Sequence, residues 1–448
     1  MSDLYGTFFR RFLLPAYESG IRRRQTFRYF REYERNQWLS ADELQALQWQ
    51  KLQRLVQHCW EQVPYYRKLW QAAGIAGPED VRSLDAYARL PVLTKADIRA
   101  NFDDLHAASY RDRMIYKATG GSTGEPLRLG YTRESYERRT AVMWRGYAWA
   151  GARVGRRSLF LWGGQVGNPS PSFLLRERLY HRVFARRMLN CFAMTEANLH
   201  EYADAIDAYK PEIIVAYTGP LVRLAEWLIV ENRRVHVPAS LITGAESLHA
   251  FQREIIERAF RAPVFNTYGC REFMLIASEC EFRDRLHVNS DHLHVELVNA
   301  EPGSVGEVAI TDLSNYGMPF IRYLNGDLAA AGSGQCACGR GLPSLRSVEG
   351  RKLDAIHTPS GGIVPGEFFP HMLKDVAGLL KYQVVQRSLD TLDITLVQDG
   401  HLDPGGLDYI RRETARVLGA DVDIRLHFAD AIESSGSGKF RVTISELP

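Results

Sequence analysis

Short apolar runs alternate with amphipathic stretches through the middle of the chain. Ser158 to Trp162, Ile213 to Tyr217, Ser240 to Ile242 and Val264 to Asn266 are runs of the first kind. Glu134 to Ala150, Leu221 to Val230 and His249 to Phe260 carry helical periodicity between or before them. Short apolar runs separated by helices of this length predict a parallel sheet with crossover helices. Ligands bind such sheets outside the carboxyl ends of the strands. That rule singles out Gly163-Gly164, Thr218-Gly219, Thr243-Gly244-Ala245-Glu246 and Thr267-Tyr268-Gly269.

The flanking patterns differ. Ser40 and Glu43 form a capping box, and Leu44, Leu47, Leu52, Leu55, Val56 and Cys59 then fall on one helical face, predicting a helix to about Trp60 that Pro64 closes. Glu79 to Leu90 reads as a further helix, and Leu90 to Lys95 as an extended link into a short one. Beyond Leu286 the texture becomes β-rich, with Leu293 to Val298, Gly306 to Thr311 and Pro319 to Tyr323 as antiparallel strands. After Gly350-Arg351, strands at Tyr382 to Gln386, Leu392 to Val397 and Val422 to Phe428 surround a helix from Leu407 to Val417. The fold class expected is α/β: a large multi-layer N-terminal domain with mostly parallel sheets and a β-rich subdomain, plus a small α+β C-terminal domain. The expected divisions are 1–39, a basic N-terminal extension; 40–349, the large domain; and 350–448, the small one.

Composition narrows the function classes. The chain has 448 residues, 45% hydrophobic and 24% charged, which suits a globular protein with a sizeable core. A net charge of +3 gives no argument for nucleic acid as a partner. The charge is unevenly spread, because eight arginines face only four acids between Met1 and Asn36. This opening also carries Phe8, Phe9, Phe12, Leu13 and Leu14, and two readings stand: a helix packed on the main body, or a basic amphipathic segment lying on an acidic membrane surface. Its apolar run is too short and too broken by arginine for a secretory signal. Without one, the six cysteines point to a reducing cytoplasm rather than to a disulfide framework.

The most concentrated local signal is Tyr116-Lys117-Ala118-Thr119-Gly120-Gly121-Ser122-Thr123-Gly124-Glu125-Pro126-Leu127. Glycines that let backbone approach a ligand, with hydroxyls beside them, suit a phosphate. A flexible surface turn has the same composition. The spacing matches neither the P-loop nor the dinucleotide fingerprint.

Taken with four later segments, this loop resembles the phosphate loop of the adenylate-forming ligases. Asn266-Thr267-Tyr268-Gly269-Cys270-Arg271-Glu272 is similar to their aromatic-Gly-x-x-Glu motif, and Arg322-Tyr323-Leu324-Asn325-Gly326-Asp327 to their Gly-Asp motif. Gly350-Arg351-Lys352-Leu353-Asp354 resembles the hinge, and Ser437-Gly438-Lys439-Phe440-Arg441 the C-terminal lysine motif. Within that superfamily the resemblance is to the phenylacetate–CoA ligases and their relatives associated with capsular polysaccharide, helped by Val63 to Arg67 and Leu90 to Lys95, and it runs from about Ser40 to the C-terminus.

The resemblance implies ATP-dependent activation of a small-molecule carboxylic acid to an acyl-adenylate, followed by transfer to coenzyme A. Thr119, Gly121, Ser122, Thr123 and Gly124 would hold the β- and γ-phosphates. Glu272 would bind Mg²⁺, a hard ligand for a hard cation. Tyr268 would stack near adenine, with Asn266 and Gly269 in the same motif and Gly244, Ala245 and Glu246 lining the other side. Asp327 would accept from the ribose hydroxyls, and Arg351 would reach ribose or phosphate. Lys439 would bridge carboxylate and α-phosphate in the transition state, on a small domain that rotates between two poses. Trp162, Gly164, Tyr217 and Tyr268 would border the acyl pocket.

Three positions depart from the family pattern. Arg271, a candidate catalytic residue, stands where Thr or Ser is usual and either supplies a charge to the α-phosphate or a carboxylate or points away; Leu353 stands where the hinge usually has an acid, and Glu125 where many ligases have Lys. Cys280, His287, Cys336 and Cys338 resemble a structural zinc site found in part of the same family, with reduced unliganded thiols as the other reading. Two rivals accompany the CoA ligase: adenylation with an amine, sugar or carrier-protein thiol as acceptor, and a binding protein that keeps the fold.

Overall fold

The computed structural model describes residues 4–118, 127–163, 170–300, 304–351, 356–360, 363–364, 368–373, 376, 378–398, 400, 402, 404–432 and 442–447. The first helices are α1 (Leu4–Phe8), α2 (Thr26–Asn36), α3 (Ala41–Gln62), α4 (Pro64–Ala72), α5 (Leu84–Tyr87) and α6 (Lys95–Ala100). The capping box at the start of α3 forms as expected: Glu43 N–H donates to Ser40 Oγ, and Ser40 N–H donates to the Glu43 carboxylate at 2.8 Å. Pro64 does not only stop α3. It is the first residue of α4, where its missing N–H would have had no helical partner in any case. The helix expected over 79–90 is instead a 3₁₀ turn at Pro78–Asp80 and the short α5, which Ser83 restarts by capping Ala86 N–H.

A hairpin, β1 (Met114–Ala118) and β2 (Arg128–Thr132), flanks the glycine-rich loop and leads into α7 (Arg133–Trp149). The alternating region then follows: β3 (Ser158–Trp162), α8 (Pro171–Val183), β4 (Arg186–Asn190), α9 (Leu199–Tyr209), β5 (Ile213–Tyr217), α10 (Thr218–Val230), β6 (Ser240–Gly244), α11 (Ala250–Phe260) and β7 (Val264–Tyr268). Strands β3 to β7 are parallel neighbours, as the pattern predicts.

The β-rich part is not a separate layer. Strands β8 (Ala277–Glu279), β9 (Leu286–Val288), β10 (Leu293–Val298), β11 (Val305–Asp312), β12 (Tyr323–Ala331) and β13 (Ser344–Arg351) continue the same sheet. Its order is β10-β11-β12-β13-β9-β8-β7-β6-β5-β3-β4, eleven strands. Strand β7 is the seam, parallel to β6 on one side and antiparallel to β8 on the other. The strand expected over 319–323 starts only at Tyr323, because Phe320 and Ile321 are buried as a connection whose N–H groups at 321 and 322 go to the Tyr66 and Thr311 hydroxyls.

The two larger hydrophobic clusters against this sheet lie around Leu55, Tyr66, Trp70 and Tyr323 and around Leu161, Ile214, Leu228 and Phe260, and a smaller one around Ile213, Val215, Ile242 and Phe265 lies on the parallel strands. Buried ion pairs pin α7 to β11 and to the turn between β9 and β10: Arg139 to Asp312 at 2.6 Å, and Arg145 to both carboxylate oxygens of Asp291 at 2.8 Å. Removing one partner of such a pair strands a charge and costs about 3–5 kcal/mol.

The small C-terminal unit has its own core around Phe369, Ile394, Leu396 and Ile410. It contains the short pair β14 (Ile356–His357) and β15 (Ile363–Val364), helix α12 (Phe368–Leu373), strands β16 (Leu379–Ser388) and β17 (Thr391–Gln398), helix α13 (Pro404–Leu418), and strands β18 (Asp423–Phe428) and β19 (Thr443–Ser445). Its four-stranded sheet runs β18-β17-β16-β19. Among the described residues no helix is long and apolar enough to cross a membrane.

Candidate functional site

The seam strand β7 ends at Tyr268, and the turn that follows is tight. Met274 N–H donates to Cys270 O at 2.7 Å and Ile276 N–H to Tyr268 O at 2.9 Å. Gly269 is required there, since a Cβ would collide with the Met274 carbonyl. This turn carries Glu272 inward while Arg271 stays exposed. Tyr131 of β2 fixes the turn from the other side, its hydroxyl donating to Arg271 O at 2.8 Å, and Arg139 donates to Glu272 O.

Strand β12 supplies the opposite wall. Tyr323, Asn325 and Asp327 converge here although a register shift opposite Val308 and the turn at Gly326 interrupt the regular alternation of the strand. Tyr323 donates to Glu272 Oε1 at 3.1 Å. The Tyr268 hydroxyl donates to Asp327 Oδ2 at 2.7 Å and accepts from Asn325 Nδ2 at 2.7 Å. Gly326 between them takes a φ of +87°, which only glycine adopts without strain. Asp327 N–H returns to Asn325 Oδ1 at 3.1 Å, closing the turn. Burial and the neighbouring Asp327 carboxylate push the Tyr268 phenol well up, so it stays a neutral donor. Arg351 is the register partner of Asp327 across β12 and β13. The motifs around residues 268, 327 and 351 therefore meet, 327 and 351 through the β12–β13 ladder and 268 and 327 through a side-chain hydrogen bond.

Glu272 is buried, and its carboxylate accepts from a neutral phenol rather than pairing with a cation among the described residues. A buried carboxylate is normally paired or metal-bound, so this position fits a hard divalent cation such as Mg²⁺. Burial and the Glu272 carboxylate push the Cys270 thiol well up, which leaves it a protonated, unreactive neighbour.

The end of β6 borders the same region. Gly244 packs against Thr267, whose hydroxyl donates to Thr243 O at 2.6 Å, and Ala245 turns the chain with a φ of +68°. The Glu246 carboxylate accepts from Gly219 N–H at 2.6 Å, capping the start of α10 where the helix dipole favours an anion. Its role in this structure is thus to hold the β5 and β6 loops together. Asn266 N–H donates to Glu279, itself paired with Arg253 at 2.6 Å. Trp162 and Tyr217, at the ends of β3 and β5, meet edge to face with centroids 4.3 Å apart.

Several of these groups escaped a motif-level reading. Asn325, Tyr323, Tyr131 and Arg139 contribute hydrogen bonds to the site without standing at a motif's marked position. Tyr323 and Asn325 lie inside the Arg322-to-Asp327 segment, which is their only local signal. Thr119, Gly121, Ser122, Thr123, Gly124, Gly164 and Lys439, with Glu125 and the hinge departure Leu353, lie outside the described residues, and so does the side chain of Arg351.

A second cluster lies away from this turn. The ligand atoms of Cys280, His287, Cys336 and Cys338 all fall within 4.8 Å of one another. Cys280 Sγ is 3.7 Å from Cys336 Sγ, and Cys338 Sγ is 3.4 Å from His287 Nε2. Tetrahedral zinc with bonds of about 2.3 Å to sulfur and about 2.0 Å to nitrogen puts ligands about 3.8 Å and about 3.5 Å apart. The observed spacings match, and they are too long for a disulfide. His287 Nδ1 faces Leu342 O at 3.5 Å, which leaves Nε2 to the cluster. Three thiols and one imidazole make up a tetrahedral ligand set and fit a closed structural zinc site.

Residues 356–446 match the CapK C-terminal domain family. The chain is 28% identical over 372 residues to the phenylacetate-coenzyme A ligase of Thermus thermophilus, covering 79% of this chain and 81% of that one. It is 22% identical over 442 residues to Protein CapK of Staphylococcus aureus, covering 95% and 94%. In structure it is similar to a 2-hydroxyisobutyryl-CoA ligase in the postadenylation state, with a TM-score of 0.73, 21% identity and 92% of both chains covered.

Proposed function

The chain is a relative of the phenylacetate–CoA ligases and of CapK, and from that footing we propose that it is an AMP-forming acid–thiol ligase. It activates a carboxylic acid with ATP, forming an acyl-adenylate and pyrophosphate, and passes the acyl group to coenzyme A. The observation that carries this reading is the Tyr268–Asn325–Asp327 cluster beside the buried Glu272. A ribose needs a carboxylate held in place by neutral donors, and this cluster supplies one.

In this reading Asp327 accepts from the ribose hydroxyls, while Tyr268 and Asn325 hold its carboxylate still. Tyr268 and the Gly244-Ala245 turn border the adenine. Glu272 would hold Mg²⁺, which neutralises phosphate charge when bound. The reaction brings a carboxylate against the α-phosphate, two anions, so cations and preorganised donors do the work. Lys439 is assigned to the reacting carboxylate and α-phosphate, and Thr119 to Gly124 to the leaving pyrophosphate. Arg271, exposed at the lip of the turn, supplies a second positive charge where the family pattern has a neutral hydroxyl. That favours an acid whose remaining groups tolerate or seek a cation, next to the Trp162–Tyr217 pair.

Pyrophosphate release across a panel of carboxylic acids, with and without coenzyme A, tests the proposal. Acid-dependent release with a thioester product supports it. Release without a thioester identifies a different acceptor, such as an amine, a sugar or a carrier-protein thiol. No release with any acid overturns the ligase reading in favour of a binding protein.

A further inference from the structure

The arginine-rich opening is not simply solvated. From Leu4 the chain runs in helical turns through Phe9–Leu13 and Ala16–Ile21, and one side of them is buried. Phe9 and Leu14 pack with Trp144 and Phe184, and Glu18 is buried against Arg24 and Thr26. The other side presents Leu4, Phe8 and Phe12, spaced four apart, with Phe8 51% and Phe12 55% exposed. Helix α8 does the same: Leu175, Leu179 and Val183 fall at the same spacing, and Leu175 is 69% exposed. Tyr5 joins the two stripes by donating to Val183 O at 2.6 Å, and Tyr17 packs on Tyr180 and Phe184. The result is one apolar face, which monomeric proteins rarely leave open without a reason.

Its rim is basic. Between Leu4 and Arg24 five arginines stand against one glutamate, and that glutamate is buried. On α8 Arg176, Arg178 and Arg182 stand against Glu177. The two segments together are positive by six, in a chain positive by only three. We propose that this face docks peripherally on an anionic lipid bilayer. Phe8, Phe12, Leu175 and Leu179 enter the headgroup layer while Arg11, Arg22, Arg23 and Arg178 meet the lipid phosphates. The charge argues against a second copy as occupant, since two such faces would bring like charges together.

Co-sedimentation of the full chain with phosphatidylcholine vesicles, with and without phosphatidylglycerol, tests the inference. Binding is expected only to the anionic vesicles and is weakened by salt. Phe8→Glu/Phe12→Glu and Leu175→Glu/Leu179→Glu, all at exposed positions, should each lower the partition coefficient at least about tenfold. Arg22→Gln/Arg23→Gln should lower it about fivefold per arginine. Circular dichroism melts check that the variants remain folded, and pyrophosphate release is expected to be unchanged in all of them. Equal binding to uncharged vesicles, or none to anionic ones, overturns the proposal. So does a lipid-free dimer in light scattering that Phe8→Glu/Phe12→Glu dissociates, which would assign the face to a second copy.

Discussion

Two buried histidines should make the large domain acid-labile well above the range in which carboxylates titrate. His292 accepts or donates at the Tyr33 hydroxyl, 3.1 Å from Nδ1, and is enclosed by Asp312, Asp291, Arg139 and Lys51. Burial outweighs the two carboxylates and pushes its pKa down to about 3. His294 contacts Gln48 at 2.8 Å and lies 3.9 Å from Glu296, whose charge is already taken by Arg322 at 3.1 Å. Burial and the Arg322 cation hold His294 down at about 4. A histidine whose folded pKa is depressed contributes stability that is fully present above its unfolded value and lost as pH falls through it. At pH 5 the unfolded imidazoles, titrating near about 6.5, take up protons that the folded ones refuse, at about 2 kcal/mol each. The pair therefore costs about 4 kcal/mol between pH 7.5 and pH 5. Asp312, held down at about 2 although burial opposes it, because of Arg139, loses its contribution only below the ordinary aspartate value and leaves this window clear. Urea denaturation of the wild type and of His292→Gln/His294→Gln at the two pH values measures the difference. The variant should be less stable at pH 7.5 but should lose about 4 kcal/mol less on acidification. A variant that loses as much as the wild type would refute the reasoning.

Asp327→Asn should raise KM for ATP by about 10- to 100-fold, since charge-assisted hydrogen bonds contribute about 1.5–3 kcal/mol. Tyr268→Phe, which keeps the ring and removes only the donor to Asp327, should give a smaller rise in the same assay. Metal analysis of the purified chain should find about one zinc. Cys336→Ser should lose that zinc and lower the melting temperature, and an unchanged metal content would remove the site. Lys439→Ala should abolish adenylate formation while transfer from a supplied acyl-adenylate persists, and normal adenylation would reassign Lys439.

The parallel half of the sheet was legible because its strands are continuous apolar runs, and Ser158 to Trp162 and Ile213 to Tyr217 appear with the bounds their residues suggest. Strand β4 was missed because Arg186 and Arg187 give it no apolar run, their guanidiniums lying over Phe160, Phe184 and Tyr209 instead. The single sheet that joins the parallel and antiparallel parts depends on β7 having different neighbours on its two sides, a tertiary fact with no local signature. At the site, spacing within motifs was readable but contacts across the sheet were not. Tyr268 and Asp327 meet through their side chains although three strands, β8, β9 and β13, separate β7 from β12 in the sheet order. The candidate zinc cluster of Cys280, His287, Cys336 and Cys338 was readable as residue types, whereas its agreement with tetrahedral spacing required coordinates.

The proposed reaction joins a carboxylate to AMP at this site. Acid-dependent exchange of labelled pyrophosphate into ATP, without coenzyme A present, measures that step alone. Exchange is expected with at least one carboxylic acid, abolished by Lys439→Ala and weakened by Asp327→Asn. Exchange absent across a broad panel of acids, from protein that is folded and zinc-replete, would contradict it.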